Sequence, residues 1–178
     1  MPKVKILDAV PDNAWGIVNV LYKTWLATYP NKEFGITTND IEESYKESFT
    51  KENLKKLSDK ITQLNQNERR LVAKIGNNIV GVATIVRNEN NNLLKTIYVL
   101  PEFQGKGIGK MLWQEAKRFC DQNKDIILQV ATYNKNTIEF YKKLGFIDTG
   151  KRFIDTTWRV KRWGVSIPEM EMVIKAKF

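Results

Sequence analysis

Histidine is absent from this chain of 178 residues, and cysteine occurs once, at Cys120. Without an imidazole there can be no histidine-based catalytic triad, and one thiol cannot build the usual zinc sites, so no metal is expected. Any chemistry must fall to carboxylates, lysine, tyrosine, hydroxyls or backbone groups. A lone cysteine also excludes an internal disulfide, and its helical setting reads as a small buried hydrophobe. No apolar run approaches the roughly 20 residues that span a bilayer. Met1-Pro2-Lys3-Val4-Lys5 has no hydrophobic signal core, so the expectation is a cytoplasmic protein without a membrane partner. Internal repeats, low-complexity tracts and Pro/Gly linkers are missing too, and residues 1–178 read as a single domain.

What the chain does have is charge and apolar patterning. Its 29 basic and 20 acidic side chains leave a net +9, which favours polyanionic partners such as nucleic acid or a phosphorylated cofactor. Apolar residues at 42% can form a substantial core. A short strand at Val4-Lys5-Ile6-Leu7 precedes a helix opened by Pro11-Asp12, with Asp12 as its N-cap. Trp15, Val18, Tyr22, Trp25, Leu26 and Tyr29 recur at helical spacing as a buried stripe. Residues 38–65 are helix-rich, with Ile41, Tyr45 and Phe49 before a break near Thr50, and Leu54, Leu57, Ile61 and Leu64 after it. Two β-rich runs, 70–75 and 79–86, flank a Gly/Asn turn as a hairpin. A turn at 88–92 leads to a central strand at 93–100. A helix at 107–122 follows, with Ile108, Met111, Leu112, Ala116, Phe119 and Cys120 on one side. Then come a strand at 126–131, a helix at 135–144 and strands at 146–158 and 170–176, joined by a basic, aromatic loop. The order β-α-α-β-β-β-α-β-α-β-β describes a mixed α/β sheet.

The most informative segment joins the central strand to the following helix: Gln104-Gly105-Lys106-Gly107-Ile108-Gly109-Lys110. Glycine permits positive φ and removes side chains that would block a ligand, so successive N–H groups can converge on one anion. The helix start adds free donors and a positive dipole end. Lys106 and Lys110 bring mobile charge to the rim. A pyrophosphate suits such a loop. The spacing matches neither a Walker loop nor the dinucleotide fingerprint.

Val99, Pro101, Gln104, Gly107 and Gly109 together resemble the Gln/Arg-x-x-Gly-x-Gly/Ala signature of the GNAT superfamily of N-acetyltransferases, which follows a strand ending in Val-x-Pro. A second segment, from Asn134 through Phe140-Tyr141 to Gly145-Phe146, is similar to that family's Asn-x-x-Ala-x-x-Phe-Tyr-x-x-x-Gly-Phe, with Thr137 in place of the alanine. The two matches cover about residues 70–150. The resemblance implies a GNAT-like fold: a mostly antiparallel central sheet, splayed in the middle and flanked by helices. It further implies direct transfer of acetyl from acetyl-CoA to a primary amine, of a small molecule or a peptide N-terminus, without a covalent enzyme intermediate.

By the same resemblance, backbone groups of Ile97, Tyr98 and Val99 pair with the pantetheine arm, and Gln104, Gly105, Lys106, Gly107, Ile108, Gly109 and Lys110 hold the pyrophosphate. Asn134 either contacts the cofactor or caps its helix. Tyr141 occupies both the cofactor site and the general-acid position, where a phenol with a pKa of about 10 can protonate a departing thiolate of about 8.5. The positions where some relatives carry a basic glutamate hold Leu93, Lys95 and Gln129, leaving a water chain, a backbone carbonyl, or a carboxylate such as Glu33 or Glu42. Trp25, Tyr29 and Phe34, with Trp158 and Trp163, are candidates for the acceptor wall, and Glu33, Asp40, Glu42, Glu43 and Glu47 for an acidic patch. Two other readings stay open: an acetyl-CoA-binding sensor or scaffold without turnover, and a basic nucleic-acid-associated module built on Lys151, Arg152, Arg159, Lys161 and Arg162. Nucleic acid is the disfavoured partner, since no recognised motif accompanies those residues. A homodimer is compatible with the sequence.

Overall fold

The computed structural model describes residues 3–63, 66–155 and 167–176. Its elements run β1 (Val4–Asp8), α1 (Ala14–Thr28), α2 (Thr38–Lys46), α3 (Lys51–Thr62), β2 (Glu68–Ile75), β3 (Asn78–Arg87), β4 (Asn92–Val99), α4 (Ile108–Phe119), β5 (Ile126–Ala131), α5 (Lys135–Lys143), β6 (Ile147–Asp155) and β7 (Ile167–Ile174). The strands form one sheet in the order β1-β2-β3-β4-β5-β7-β6. All neighbours are antiparallel except β4 and β5. That exception follows from connectivity, because α4 carries the chain back to the starting edge before β5 begins.

Residues 38–65 supply one helix more than the expected order, because two threonines each open a helix. The Thr37 hydroxyl accepts from the Asp40 N–H at 3.2 Å while the Asp40 carboxylate accepts from the Thr37 N–H at 2.7 Å, a reciprocal cap that starts α2. Thr50 caps α3 through the Asn53 N–H at 3.3 Å. Leu64, Trp158, Arg159, Lys161, Arg162 and Trp163 lie outside the described residues.

Several local expectations are corrected. Trp15 is 57% exposed, touching only the edge of Phe49 at 6.2 Å among the aromatic rings of the described residues. The buried stripe of α1 runs instead through Ala14, Ile17, Val18, Val20 and Thr24. Gly16 lies against β3 so closely that a Cβ there would stand 2.6 Å from Ile79, which presses this side of α1 onto the sheet and turns Trp15 outward. Asp12 does not cap α1. The chain makes a 3-10 turn at Pro11–Asn13, and the Asn13 carboxamide oxygen accepts from the Val10 N–H at 3.0 Å. On α4, Met111 is exposed and Trp113 takes the buried place. Cys120 is buried, with its thiol pushed up to about 11 by that burial.

Two apolar clusters organise the interior. The larger holds the faces of β2, β3 and β4 with Ile108, Leu112, Trp113 and Ala116 of α4, and takes Ile126, Leu128 and Val130 from β5. The smaller gathers Val18 of α1 and Tyr29, its C-cap, with Ile36, Ile41, Tyr45, Ala131 and Ile167. Side chains alternate along a strand. Val130 and Ala131 therefore assign these clusters to opposite faces of the sheet at the end of β5.

Candidate active site

Strands β4 and β5 are joined at one end only. Their register pairs are Asn92 with Ile126 and Leu93 with Ile127, and no pairing continues toward Val99 and Ala131. The closed end is held by Asn92, which has no exposed surface and belongs to the strand rather than to the expected turn. Its carboxamide donates to the carbonyls of Asp121 at 2.9 Å and Lys124 at 3.1 Å, and accepts from the Asp121 N–H at 2.8 Å. Lys95 has no register partner between Thr84–Thr96 and Ile85–Leu94, a bulge that bends β4 just where the strands part.

Beyond the bulge, the ladder to β3 decides which backbone groups face the gap. The Leu100 N–H donates to the Val80 carbonyl at 2.9 Å, so the Val99 carbonyl turns the other way. The N–H and C=O of one strand residue point to the same side, and the side alternates along the strand. Val99 and Ile97 thus direct their backbone groups into the split, while those of Tyr98 are committed to β3. The Val99 carbonyl is taken by the Gln104 side chain, whose amide donates to it at 2.9 Å. Gln104 therefore ties the loop back to the strand and leaves the Val99 N–H open to the gap.

The loop that follows is exposed from Gln104 to Gly107. Gly105 and Gly107 have φ of +72° and +79°, and a Cβ added at either would meet nothing within 4 Å. Glycine is thus demanded by the backbone turn, not by crowding. Gly107 caps α4 in the left-handed conformation, and the Met111 N–H donates to its carbonyl at 3.0 Å. Among the described residues, no acceptor pairs with the N–H groups of Gly105 through Lys110. These donors surround the positive end of a 12-residue helix, a fitting seat for a phosphate. Ile108 offers only its backbone, since its side chain is buried. Lys106 folds back, donating to the Glu102 carbonyl at 2.8 Å above the Phe103 ring. Lys110 is exposed and borders a shallow groove with Lys117, Arg118 and Lys143. Gly109 serves packing, because a Cβ there would stand 3.1 Å from the Phe140 ring. The two motif segments of the sequence meet at that contact.

Asn134 caps α5, its side chain accepting from the Thr137 N–H at 3.2 Å. Tyr141, about two turns further on, is buried and packs edge-on against Phe146 with ring centroids 5.6 Å apart. Burial, and then the nearby Tyr98, hold its phenol above the ordinary range. The hydroxyls of Tyr29 and Tyr98 lie 3.1 Å apart, and the Tyr133 hydroxyl donates to the Tyr29 carbonyl at 3.3 Å. Tyr29 is held well above its usual pKa by burial, by Tyr98, and by the charge of Glu169. Tyr133 is pushed up to about 12 by burial and by the same Glu169. Four phenols and one carboxylate are thus drawn together from the C-cap of α1, β4, the β5–α5 turn, α5 and β7.

Of the expected acceptor wall, Trp25 lies on Tyr29 with ring centroids 4.3 Å apart, and Phe34 stacks on Tyr133 at 5.3 Å. All three expected residues belong to or pack against the smaller cluster. Glu33 and Glu42 are exposed, Asp40 is engaged in its cap, and Glu43 pairs with Lys46. The expected acidic patch is a solvated face. Glu169 and Tyr133 were not singled out in the sequence, where nothing local distinguishes them.

A family model described as "Acetyltransferase (GNAT) family" matches residues 37–146. N-acetyltransferase 8F1 of Rattus norvegicus is 29% identical over 97 residues, 50% of this chain and 44% of that protein. The chain spans less than half the length of the curated relatives it matches. The crystal structure of the PaiA N-acetyltransferase of Thermoplasma acidophilum in complex with coenzyme A is 22% identical, covers 97% of this chain and 99% of its own, and superposes with a TM-score of 0.72. A GNAT-family acetyltransferase of Streptococcus pneumoniae, 20% identical, covers 98% and 100% with a TM-score of 0.69. At these identities the two structures establish the shared fold.

Proposed function

Because the chain belongs to the GNAT family of acetyltransferases, we propose that it moves an acetyl group from acetyl-CoA directly to a primary amine, of a small molecule or a peptide N-terminus. The observation that carries this reading is the run of unpaired N–H groups from Gly105 to Lys110 at the mouth of a split in the sheet. The coenzyme A bound by the T. acidophilum relative supports the choice of donor.

On this reading the diphosphate of the donor sits against residues 105–110, and its pantetheine amides pair with the open backbone of Ile97 and Val99. The Val99 N–H is the donor best placed to polarise the thioester carbonyl as charge develops on its oxygen. Preorganised donors of that kind contribute about 3–4 kcal/mol to kcat. Tyr141 supplies the proton for the leaving thiolate. Its raised pKa keeps the hydroxyl protonated at neutral pH, and a thiolate leaving into the same apolar surroundings is made more basic by them. Asn134 acts chiefly by fixing the start of α5, and hence the direction of Tyr141.

The test has two arms. Calorimetry with the purified protein should show association with acetyl-CoA. Release of free thiol should then be followed with polyamines, amino acids, aminoglycosides and peptide N-termini as acceptors. An intact fold with no heat of association would remove the cradle. Binding without turnover of any acceptor would leave a sensor or scaffold.

A further inference from the structure

An acceptor amine of ordinary basicity, with a pKa of about 10.4, is a cation at neutral pH and must lose a proton before it can attack. Glu33 and Glu42 are exposed on the outer loop and helix, and positions 93, 95 and 129 hold no carboxylate. Glu169 stands elsewhere, near the start of β7. Its register partners are Ala131 of β5 and Phe153 of β6. Residues directly opposite in an antiparallel pair project from the same face. Ala131, and Ile167 two residues before Glu169, are both buried in the cluster built around Tyr29. The Glu169 side chain therefore rises, half-buried, on the face that carries α1 and α2, beside the open end of the split. The Tyr29 and Tyr133 phenols lie within its field, and the Tyr29 hydroxyl reaches Tyr98 on the strand that lines the gap.

We propose that Glu169 is the carboxylate that receives the acceptor's ammonium and removes its proton, so that the acceptor is a cationic amine delivered to this face of the sheet. This inference rests on the acetyl-transfer reading. One N–H proton passes from the ammonium to a Glu169 oxygen, directly or through a water. The freed lone pair forms the N–C bond, and the thioester carbonyl electrons move to oxygen. On collapse the C–S bond breaks, the sulfur takes the Tyr141 proton, and the second proton lost from nitrogen restores the phenol. Glu169 then returns its proton to solvent. The sum is one amide, one thiol and one released proton.

Glu169→Gln, assayed with the best acceptor from the amine panel, should lose about 100-fold or more in kcat/KM, the usual range for a general base. Its acetyl-CoA affinity should match the wild type. The deficit should shrink as the pH is raised toward the acceptor's own pKa, where free amine is already present, and Glu169→Asp should recover part of the activity. Glu42→Gln, on the exposed side of α2, should behave as wild type. Wild-type kcat/KM in Glu169→Gln would overturn the assignment, as would a deficit that persists unchanged at every pH. If the wild type binds acetyl-CoA yet acetylates no amine, the transfer reading fails and this inference falls with it. That result is distinct from an active enzyme indifferent to position 169.

Discussion

Gly107→Ala separates the conformational role of the glycine loop from its role as a ligand seat. Gly107 has φ of +79°, and an alanine there must adopt the left-handed region, at about 1–2 kcal/mol. The lower entropy of the unfolded alanine chain returns about 0.4–1 kcal/mol. The expected net loss is about 1 kcal/mol, since a Cβ at Gly107 meets nothing within 4 Å. For a protein of this size that lowers Tm by about 2–4 °C. Gly76, in the β2–β3 turn, has φ of +58° and equally open surroundings, so Gly76→Ala should lose a similar amount. The two variants part company on binding. The strain of a left-handed alanine at position 107 should tilt the N–H groups of residues 105–110, so acetyl-CoA should bind about 10-fold or more weakly, a change of about 1.4 kcal/mol. Binding to Gly76→Ala should be unaltered. Thermal denaturation with and without acetyl-CoA reads both effects together, because ligand at 100 times its Kd adds about 2.7 kcal/mol to wild type. Wild-type affinity in Gly107→Ala would refute the phosphate seat. Markedly unequal stability losses without ligand would refute the backbone argument.

Tyr141→Phe should reduce kcat with little change in acetyl-CoA affinity, and steady-state kinetics under chemistry-limited conditions reads it; an unchanged kcat would remove the phenol from proton transfer. Asn92→Ala should cost about 2–4 kcal/mol in urea unfolding, because it strips partners from several half-buried backbone groups at the closed end of the split. A loss below about 0.5 kcal/mol would mean that the clamp is dispensable. Cys120 should resist alkylation at mildly alkaline pH in the folded protein and react once urea exposes it, as mass spectrometry would record. Its thiol is raised from 9.0 to about 11 by burial, so the neutral form is favoured by folding. That contribution is complete below the unfolded value and fades as the pH rises through the folded one.

The glycine run, the Asn134 cap and the β-rich runs were legible because each is a local matter. A positive φ, a capping side chain or a two-residue alternation is specified within a few neighbours, and those neighbours are adjacent in the chain. The turn from β4 into α4 was readable for the same reason, since Val99, Gln104 and Gly107 belong to one continuous segment. The error at Trp15 shows the limit of periodicity. Helical spacing identifies residues that share a face, but the contact of Gly16 with Ile79 chooses which face meets the sheet.

The grouping of phenols around Glu169 lay beyond local reading, although Tyr29, Tyr98 and Tyr141 were each candidates on their own. Tyr29, Tyr98, Tyr133, Tyr141 and Glu169 come from five separate elements, and only strand order and register bring them to one place. Whether Glu169 faces solvent or the cluster depends on its standing opposite Ala131, and slipping that register by one residue would turn the carboxylate to the other face. The sequence by itself determined a glycine turn between strand and helix and the family to which the chain belongs. Tertiary structure alone decided where the sheet opens and which carboxylate stands beside the opening, because both depend on pairings between residues far apart in the chain.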